Sequence, residues 1–421
     1  MTGRVLYQLH SLGAAGAPAT NPDPASSVPC GRGLRVLHGW LDEIASLGCG
    51  GVLLTPIFVS STHGYDTVDA LRIDQRLGDD DDFSALAEGC RERELRLILD
   101  GVFNHVGRGF GPFVDVLHRG QASPFAEWFD LDFERDDGDG FGYRTFEGHR
   151  ELVALNHRNG AVLDWAVEVA NTWLDRGADG WRLDAAYAIP PVWIASLVAR
   201  VRRRHPDAFL FGEVIHGDYA KFVETSTLDS VTQYELYKAI WSSLNDANFW
   251  ELAWALGRHR EFVARLAPVT FAGNHDVTRL ATQLTDPGHV AIAVILLLTL
   301  PGIPCIYYGD ERAWRGTKEQ RPGGDDAIRP PLPPVDATLS RDEEQVRDLH
   351  RRLVAIRRAR PWLTQGDVDV VDVSNRRLIY TVTAGEGALC VVVDVDASAL
   401  SVAPGWELVA AEPGWAIGER R

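Results

Sequence analysis

Three carboxylates, Asp184, Glu213 and Asp276, each stand just past a short apolar run. Asp184 closes Ala178-Asp179-Gly180-Trp181-Arg182-Leu183, and Glu213 closes Phe209-Leu210-Phe211-Gly212. Asp276 follows Val269-Thr270-Phe271-Ala272-Gly273-Asn274-His275. An acid at the end of a buried strand is held rigidly, and burial in a pocket can tune its pKa. Breaking an acetal needs a nucleophile or ion-pair partner, a proton donor and a polar clamp, and carboxyls can fill all three roles. The chain reads first as an enzyme acting on glycosidic bonds.

The neighbours of these acids sharpen that reading. Arg182 and Asp184 are two apart, so on a strand both side chains point the same way. An inward arginine keeps an inward aspartate ionised and oriented, as a nucleophile requires, although alone the two could be a structural ion pair. Glu213 sits between Phe211-Gly212 and Val214. Partial desolvation there is expected to raise its pKa into the range of a general acid, and Gly212 to let a ligand approach. Asp276 can hydrogen-bond two ring hydroxyls, with His275 donating to their neighbours. Asp100-Gly101-Val102-Phe103-Asn104-His105 offers a further imidazole, and Asn104 can tie the loop or ligate a cation. A lone histidine at a strand end is more often structural, but this one has company. In His63-Gly64-Tyr65-Asp66, Tyr65 is placed to stack under a sugar face.

Something must hold these groups at one mouth. Strand-like runs occur at Val5–Leu9, Gly51–Thr55, Leu95–Val102, Gly180–Asp184, Phe209–Glu213, Ser230–Gln233, Val269–Ala272 and Ile303–Tyr307. Between them helical spacing recurs, as in Leu34, Leu37, Leu41, Ile44 and Leu47, in Val162, Trp165, Val169 and Trp173, and in Val346, Leu349, Leu353 and Ile356. Eight such units predict an α/β chain built as a closed (β/α)8 barrel. A dinucleotide-binding sheet would show a Gly-rich turn after its first strand, and none is present. The barrel is expected over residues 1–105 and 160–360, with an insertion at 106–159 between the third strand and third helix. From 361 to 421 the pattern turns to short alternating strands, Val368–Val373, Arg377–Thr383 and Ala388–Val395, predicting a small antiparallel β domain. Pro330 to Pro334 reads as a rigid loop before the last barrel helix.

Composition narrows the partners. The 421 residues are 45% hydrophobic with a formal charge of −17, which argues against nucleic acid or an anionic membrane and suits a neutral small molecule. The five cysteines, Cys30, Cys49, Cys90, Cys305 and Cys390, are scattered and lack CxxC spacing, so buried free thiols are expected rather than disulfides or zinc. The start of the chain shows no signal-peptide pattern, and the apolar run Val290 to Leu300 is too short to span a bilayer, so a cytoplasmic protein is expected.

Taken together, HGYD, DGVFNH, GWRLD, the Gly-Glu pair and GNHD resemble the short sequence regions of the α-amylase superfamily, over nearly the whole chain. That resemblance implies a barrel, a domain B after strand three and a C-terminal β-sandwich. It implies Asp184 as nucleophile, Glu213 as acid/base and Asp276 as transition-state stabiliser, with Arg182, His105, His275 and Tyr65 completing the reacting subsite. Asp66, Tyr187, His216 and Asn156 are further candidate substrate contacts. Leu152-Val153-Ala154-Leu155-Asn156 is similar to a segment of cyclomaltodextrinases, neopullulanases and maltogenic amylases, and so is Ser230 to Leu256. Two features depart from that group: the chain begins at barrel strand one, without the N-terminal β domain, and position 188 is Ala where a glutamate is common. A homodimer, if formed, would not use an N-terminal domain. The implied substrates are short or cyclic maltooligosaccharides, cyclodextrin-type or cyclic maltosyl-maltose-type rings, cleaved at α-1,4 bonds with retention. An α-glucosidase or transglycosylase on the same barrel is the alternative, and a non-catalytic sugar-binding homologue a remote one. No cofactor is required on this reading. Calcium stays open, through Asn104 and the aspartates 130, 132, 136, 137 and 139 of the insertion.

Overall fold

The computed structural model describes residues 1–421 except 2, 26–30, 32, 322 and 421, so Cys30 lies outside the described residues. Eight strands form one parallel sheet: β1 (Leu6–Leu9), β2 (Gly51–Leu54), β3 (Arg96–Gly101), β4 (Gly180–Leu183), β5 (Phe209–Gly212), β6 (Ser230–Val231), β7 (Val269–Phe271) and β8 (Ile303–Tyr307). Neighbours follow chain order, with β1 pairing both β2 and β8. The ring closes between β6 and β7 through one parallel bridge, Thr232 to Val269, where the Gln233 N–H donates to the Val269 carbonyl at 2.9 Å. This is the expected (β/α)8 barrel, with strand ends shifted by a residue or two.

Period-two alternation sorts the barrel interior into levels. Leu6, Leu53, Ile98, Phe209, Phe211, Val269, Phe271, Ile303 and Cys305 pack together as the apolar plug inside the sheet. Two residues above Leu6, Ile98 and Gly180 come Gln8, Asp100 and Arg182, all buried. One further step up β4 and β5 gives Asp184 and Glu213. The apolar floor excludes water from beneath and leaves the polar level only one another to bond. The outer helices bury their apolar stripes against the opposite face of the sheet. The first stripe is split, because the chain turns at Trp40 between Gly33–Gly39 and Leu41–Ser46.

The insertion is more ordered than its weak periodicity suggested. His105–Gly107, Thr145–Phe146 and His149–Ala154 make a small antiparallel sheet, and Gly111–Arg119 is a helix. Its aspartates are engaged locally. Asp130 pairs with Arg144 and Arg158, Asp137 with Arg135, and Asp139 with Arg108 and Arg150. Asp132 and Asp136 accept backbone N–H groups.

The C-terminal region adds β9 (Asp367–Val373), β10 (Arg377–Ala384), β11 (Gly387–Asp394), β12 (Glu407–Glu412) and β13 (Trp415–Arg420), in the order β9-β10-β11-β13-β12. This is one sheet, where the family resemblance implied a sandwich of two. One face, with Leu378, Tyr380, Val391 and Trp415, joins the main core. The other is covered by Leu400, Val402 and Trp406 from the loop before β12, which takes the place of a second sheet. The last two strands escaped the sequence reading because Glu407–Glu412 alternates poorly. Cys49, Cys90, Cys305 and Cys390 are buried free thiols, as expected. Among the described residues no helix is long and apolar enough to cross a membrane.

Candidate active site

At the C-terminal mouth of the barrel a cavity of about 360 Å³ is lined by Asp184, Glu213 and Asp276 together with Tyr65, His105, Tyr187 and Tyr234. The insertion contributes Phe146, Glu147 and Leu152, and the loop after β8 contributes Lys318. A larger depression of about 790 Å³ lies at the opposite end, where Arg4, Leu95 and Ala178 precede their strands. Only the smaller cavity gathers the sequence-nominated acids.

One guanidinium organises the floor. Arg182 Nη1 donates to Asp100 Oδ2 at 2.6 Å and to Asp184 Oδ1 at 3.3 Å, and its Nη2 lies 3.0 Å from Glu213 Oε1. Its side chain is 3% exposed, so it lies beneath the cavity and does not separate the two acids within it. Burial opposes the charge on Arg182, but Asp100 and Glu213 outweigh it and hold the guanidinium well above its usual range. Arginine suits this position because its planar fork can serve several carboxylates at once.

Glu213 is fixed by two more donors. The Tyr234 hydroxyl donates to Oε1 at 2.9 Å, and the Ala185 N–H donates to Oε2 at 3.0 Å. Asn274 Nδ2 in turn donates to the Tyr234 oxygen at 3.0 Å. Ala185 reaches Glu213 from a left-handed conformation, φ 45°, that an alanine rarely adopts. Such strain beside a nominated nucleophile is typical of functional turns. Gly212 was expected to admit a ligand. In the structure it admits the β4 turn instead: a Cβ there would stand 2.8 Å from the Ala186 Cβ.

The two nominated reacting acids differ in surroundings. Asp184 receives the single long bond from Arg182, whereas Glu213 receives three donors. Burial first, and the Glu213 charge second, push Asp184 well above the usual carboxylate range, and Arg182 offsets only part of this. Arg182 favours the ionised form of Asp184, but burial and the Glu213 charge act against it. Asp276 is the opposite case. Burial acts to raise it, but His275, Arg329 and Arg182 together hold it well below the usual range.

The wall around Asp276 is a relay. Gln8 Nε2 donates to His275 Nδ1 at 3.0 Å, so His275 carries its hydrogen on Nε2, 2.9 Å from Asp276 Oδ2. The Tyr65 hydroxyl donates to Asp100 Oδ2 at 3.0 Å and lies 2.6 Å from His275 Nε2. Arg329 closes the far side, bonding the His275 carbonyl and Asp276 Oδ1, both at 2.9 Å. His105 has its Nδ1 taken by Asn104 at 3.2 Å, and its Nε2 has no partner among the described residues. Desolvation lowers His105 to about 3, so it is a neutral donor available to a ligand hydroxyl.

Of the nominated residues, the structure brings Asp184, Glu213, Asp276, Tyr65, His105 and Tyr187 to the cavity, with Arg182 and His275 directly behind. Three stand outside it. Asp66 is buried under the N–H and hydroxyl of Thr62, where it anchors the loop. Asn156 bonds the Glu127 carbonyl and the Arg158 N–H. His216 is exposed beyond the rim, and Ile215 lines the cavity instead. Gln8, Tyr234, Arg329 and Glu147 were missed. Only Gln8 left a local signal, as an amide within an otherwise apolar strand. Asn104 orients His105, and among the described residues no three His, Cys, Asp or Glu side chains gather as a metal site requires.

A (β/α)8 barrel with three acids at the ends of its fourth, fifth and seventh strands and an insertion after the third defines a class, carbohydrate-active barrels of the amylase type. The chain belongs to the α-amylase family: residues 34–360 match the α-amylase catalytic domain. It is 35% identical over 307 residues to a cyclomaltodextrinase of a Bacillus species, covering 70% of this chain and 54% of that protein. With the cyclomaltodextrinase of Geobacillus thermopakistaniensis it shares 31% over 404 residues, 90% of this chain and 66% of that one. The chain thus spans less than two thirds of either curated relative. Among solved structures it is similar to the cyclic α-maltosyl-(1→6)-maltose hydrolase of Arthrobacter globiformis, with TM-score 0.84 and 27% identity, covering 100% of this chain and 99% of that one.

Proposed function

We propose that this chain is a retaining glycoside hydrolase that cleaves α-1,4-glucosidic bonds in short or cyclic maltooligosaccharides, releasing maltose or other short oligomers. The observation that carries this reading is the shared guanidinium: Asp184 and Glu213, from adjacent strand ends, meet on Arg182 while facing one cavity with Asp276. A common cation draws the carboxyls together and favours the short separation of retaining pairs, about 5–5.5 Å, over the wider spacing of inverting ones. Names of the relatives, cyclomaltodextrinase and cyclic maltosyl-maltose hydrolase, support the substrate class.

In this mechanism Glu213 protonates the departing oxygen as Asp184 attacks the anomeric carbon. Water, deprotonated by Glu213, then releases the glycosyl group. The glycosidic oxygen gives protonated Glu213 an acceptor, and positive charge growing at the ring stabilises ionised Asp184. Asp276, held ionised by its basic neighbours, clamps hydroxyls and adds to the negative field. Four buried free thiols suit a cytoplasmic, reducing setting.

The test is hydrolysis of linear and cyclic maltooligosaccharides beside sucrose and trehalose. Asp184→Asn and Glu213→Gln should each abolish turnover with the fold retained. Near wild-type rates in either variant, or a clear preference for sucrose or trehalose, would overturn the assignment.

A further inference from the structure

Tyr65 enters the cavity from the turn 61–66, which joins the short strands Phe58–Ser60 and Thr67–Ile73. That turn is seated on a buried ion pair outside the reacting groups. Arg76 and Asp74 have side chains 0% and 1% exposed. Arg76 Nε donates to Asp74 Oδ1 at 2.9 Å, and Nη2 donates to Asp74 Oδ2 and Ser60 Oγ, both at 2.7 Å. Nη1 donates to the Thr62 carbonyl at 2.7 Å and to the Pro18 carbonyl at 3.0 Å. Every donor of the guanidinium is thus engaged, and the pair joins the segment after β1, the turn and its own strand end.

Thr62 passes this constraint to Tyr65. Its N–H and hydroxyl donate to the Asp66 carboxylate at 3.1 and 2.7 Å, so the turn closes on itself with Tyr65 inside. The Tyr65 ring then lies against His275, with centroids 5.6 Å apart and planes 5° apart, and its hydroxyl bonds Asp100. Tip and base are held from different elements, so a shift of the turn would tilt the ring about its hydroxyl. A buried ion pair adds little net stability over apolar residues of equal size, since desolvation cancels much of the attraction. Its advantage is direction, because a planar fork holds each acceptor at a set angle where apolar packing would let the turn slide.

We propose that Arg76, with Asp74, is a positioning residue for the reaction, setting the tilt of the Tyr65 ring against the sugar held on Asp184. It acts through Thr62 and does not itself line the cavity. The inference rests on the hydrolase reading above. It predicts that the catalytic cost of disturbing Arg76 exists only while Tyr65 is present.

The experiment is a double-mutant cycle on kcat/KM for an aryl α-maltoside. Arg76→Lys keeps the charge but has fewer donors than the site uses, and should lower kcat/KM by about tenfold. Ser60→Ala removes one acceptor, leaves the ion pair, and should lower it by about threefold. On a Tyr65→Ala background each substitution should cost less than about twofold, because the ring it positions is gone. Urea unfolding of the same variants should show stability losses that do not depend on Tyr65. Should Arg76→Lys fail to fold, the Ser60→Ala cycle decides. Equal losses of kcat/KM on both backgrounds, or no loss with Tyr65 present, would overturn the positioning role and leave the hydrolase reading intact. Failure of the wild-type protein to cleave either the maltoside or maltotetraose would instead overturn the hydrolase reading and the positioning role with it.

Discussion

Replacing Asp184 with asparagine should stabilise the protein while it removes turnover, and the gain should grow with pH. Asp184 is buried, accepts one bond at 3.3 Å and faces Glu213 across the same guanidinium. The amide can still accept that one long bond through its oxygen, so the loss is at most its charge assistance, about 0.5–1.5 kcal/mol. It also ends the repulsion and the desolvation of an ionised carboxylate, and Arg182 keeps Asp100 at 2.6 Å and Glu213 at 3.0 Å. Relief of a buried like-charge contact outweighs one stretched bond, so the net gain should be about 1–2 kcal/mol. For a chain of this size that corresponds to a Tm rise of roughly 1–2 °C. Asp184 is raised in the folded state, first by burial and then by the Glu213 charge. Below the unfolded carboxylate pKa, about 3.9, both states are protonated and the site costs nothing. As pH climbs the unfolded chain ionises first, and native stability falls until the folded group has ionised too. Asparagine does not titrate, so the Tm gap between variant and wild type should be small near pH 4.5 and largest near pH 8. Scanning calorimetry across that range measures it. A variant less stable than wild type at pH 8, or a gap independent of pH, would show that Arg182 holds Asp184 as a settled anion and refute the reasoning.

Other perturbations follow from the same site. Arg182→Lys should cost about 3–5 kcal/mol in urea unfolding, because a point charge cannot serve Asp100, Asp184 and Glu213 together. Ala185→Gly should raise stability by up to about 1 kcal/mol by relieving the left-handed φ, yet lower kcat as the N–H on Glu213 loses its rigid presentation. Dialysis against a chelator should leave Tm unchanged, since the aspartates of the insertion already have arginine or backbone partners. A drop in Tm reversed by calcium would make Asn104 the first ligand to examine.

What could be read in advance follows from how far apart the partners lie along the chain. Strand-end acids announce themselves, since an apolar run and the carboxylate closing it are contiguous, and period two carries Gly180, Arg182 and Asp184 to one side. The same logic put His275 and Tyr65 near the acids, and in the structure the two lie against each other beside Asp276. It was misled by Asp66, whose neighbourhood in HGYD looks functional although its carboxylate is spent on Thr62. Position along the chain also made His216 look close to Glu213, but the segment turns outward after Ile215. Arg329 was out of reach because 53 residues separate it from Asp276, with the helix His289–Thr299, β8 and its loop between them. Glu147 was out of reach for a similar reason: it meets Tyr187 40 positions away, across an insertion whose strands leave little periodicity. The upward push on Asp184 could not be foreseen either, since it depends on burial and on the Glu213 charge beside it.

The seam of the barrel gives the hydrogen bond between Asn274 and Tyr234 a second meaning. Strands β6 and β7 share one bridge where other neighbours share a ladder, and these two residues lie just above it, one on each side. The bond that steadies Tyr234 against Glu213 is thus also the stitch that keeps the cylinder from parting there. Any opening of that joint would carry Glu213's hydroxyl partner away from Asn274, so the competence of the acid and the closure of the ring rise and fall together.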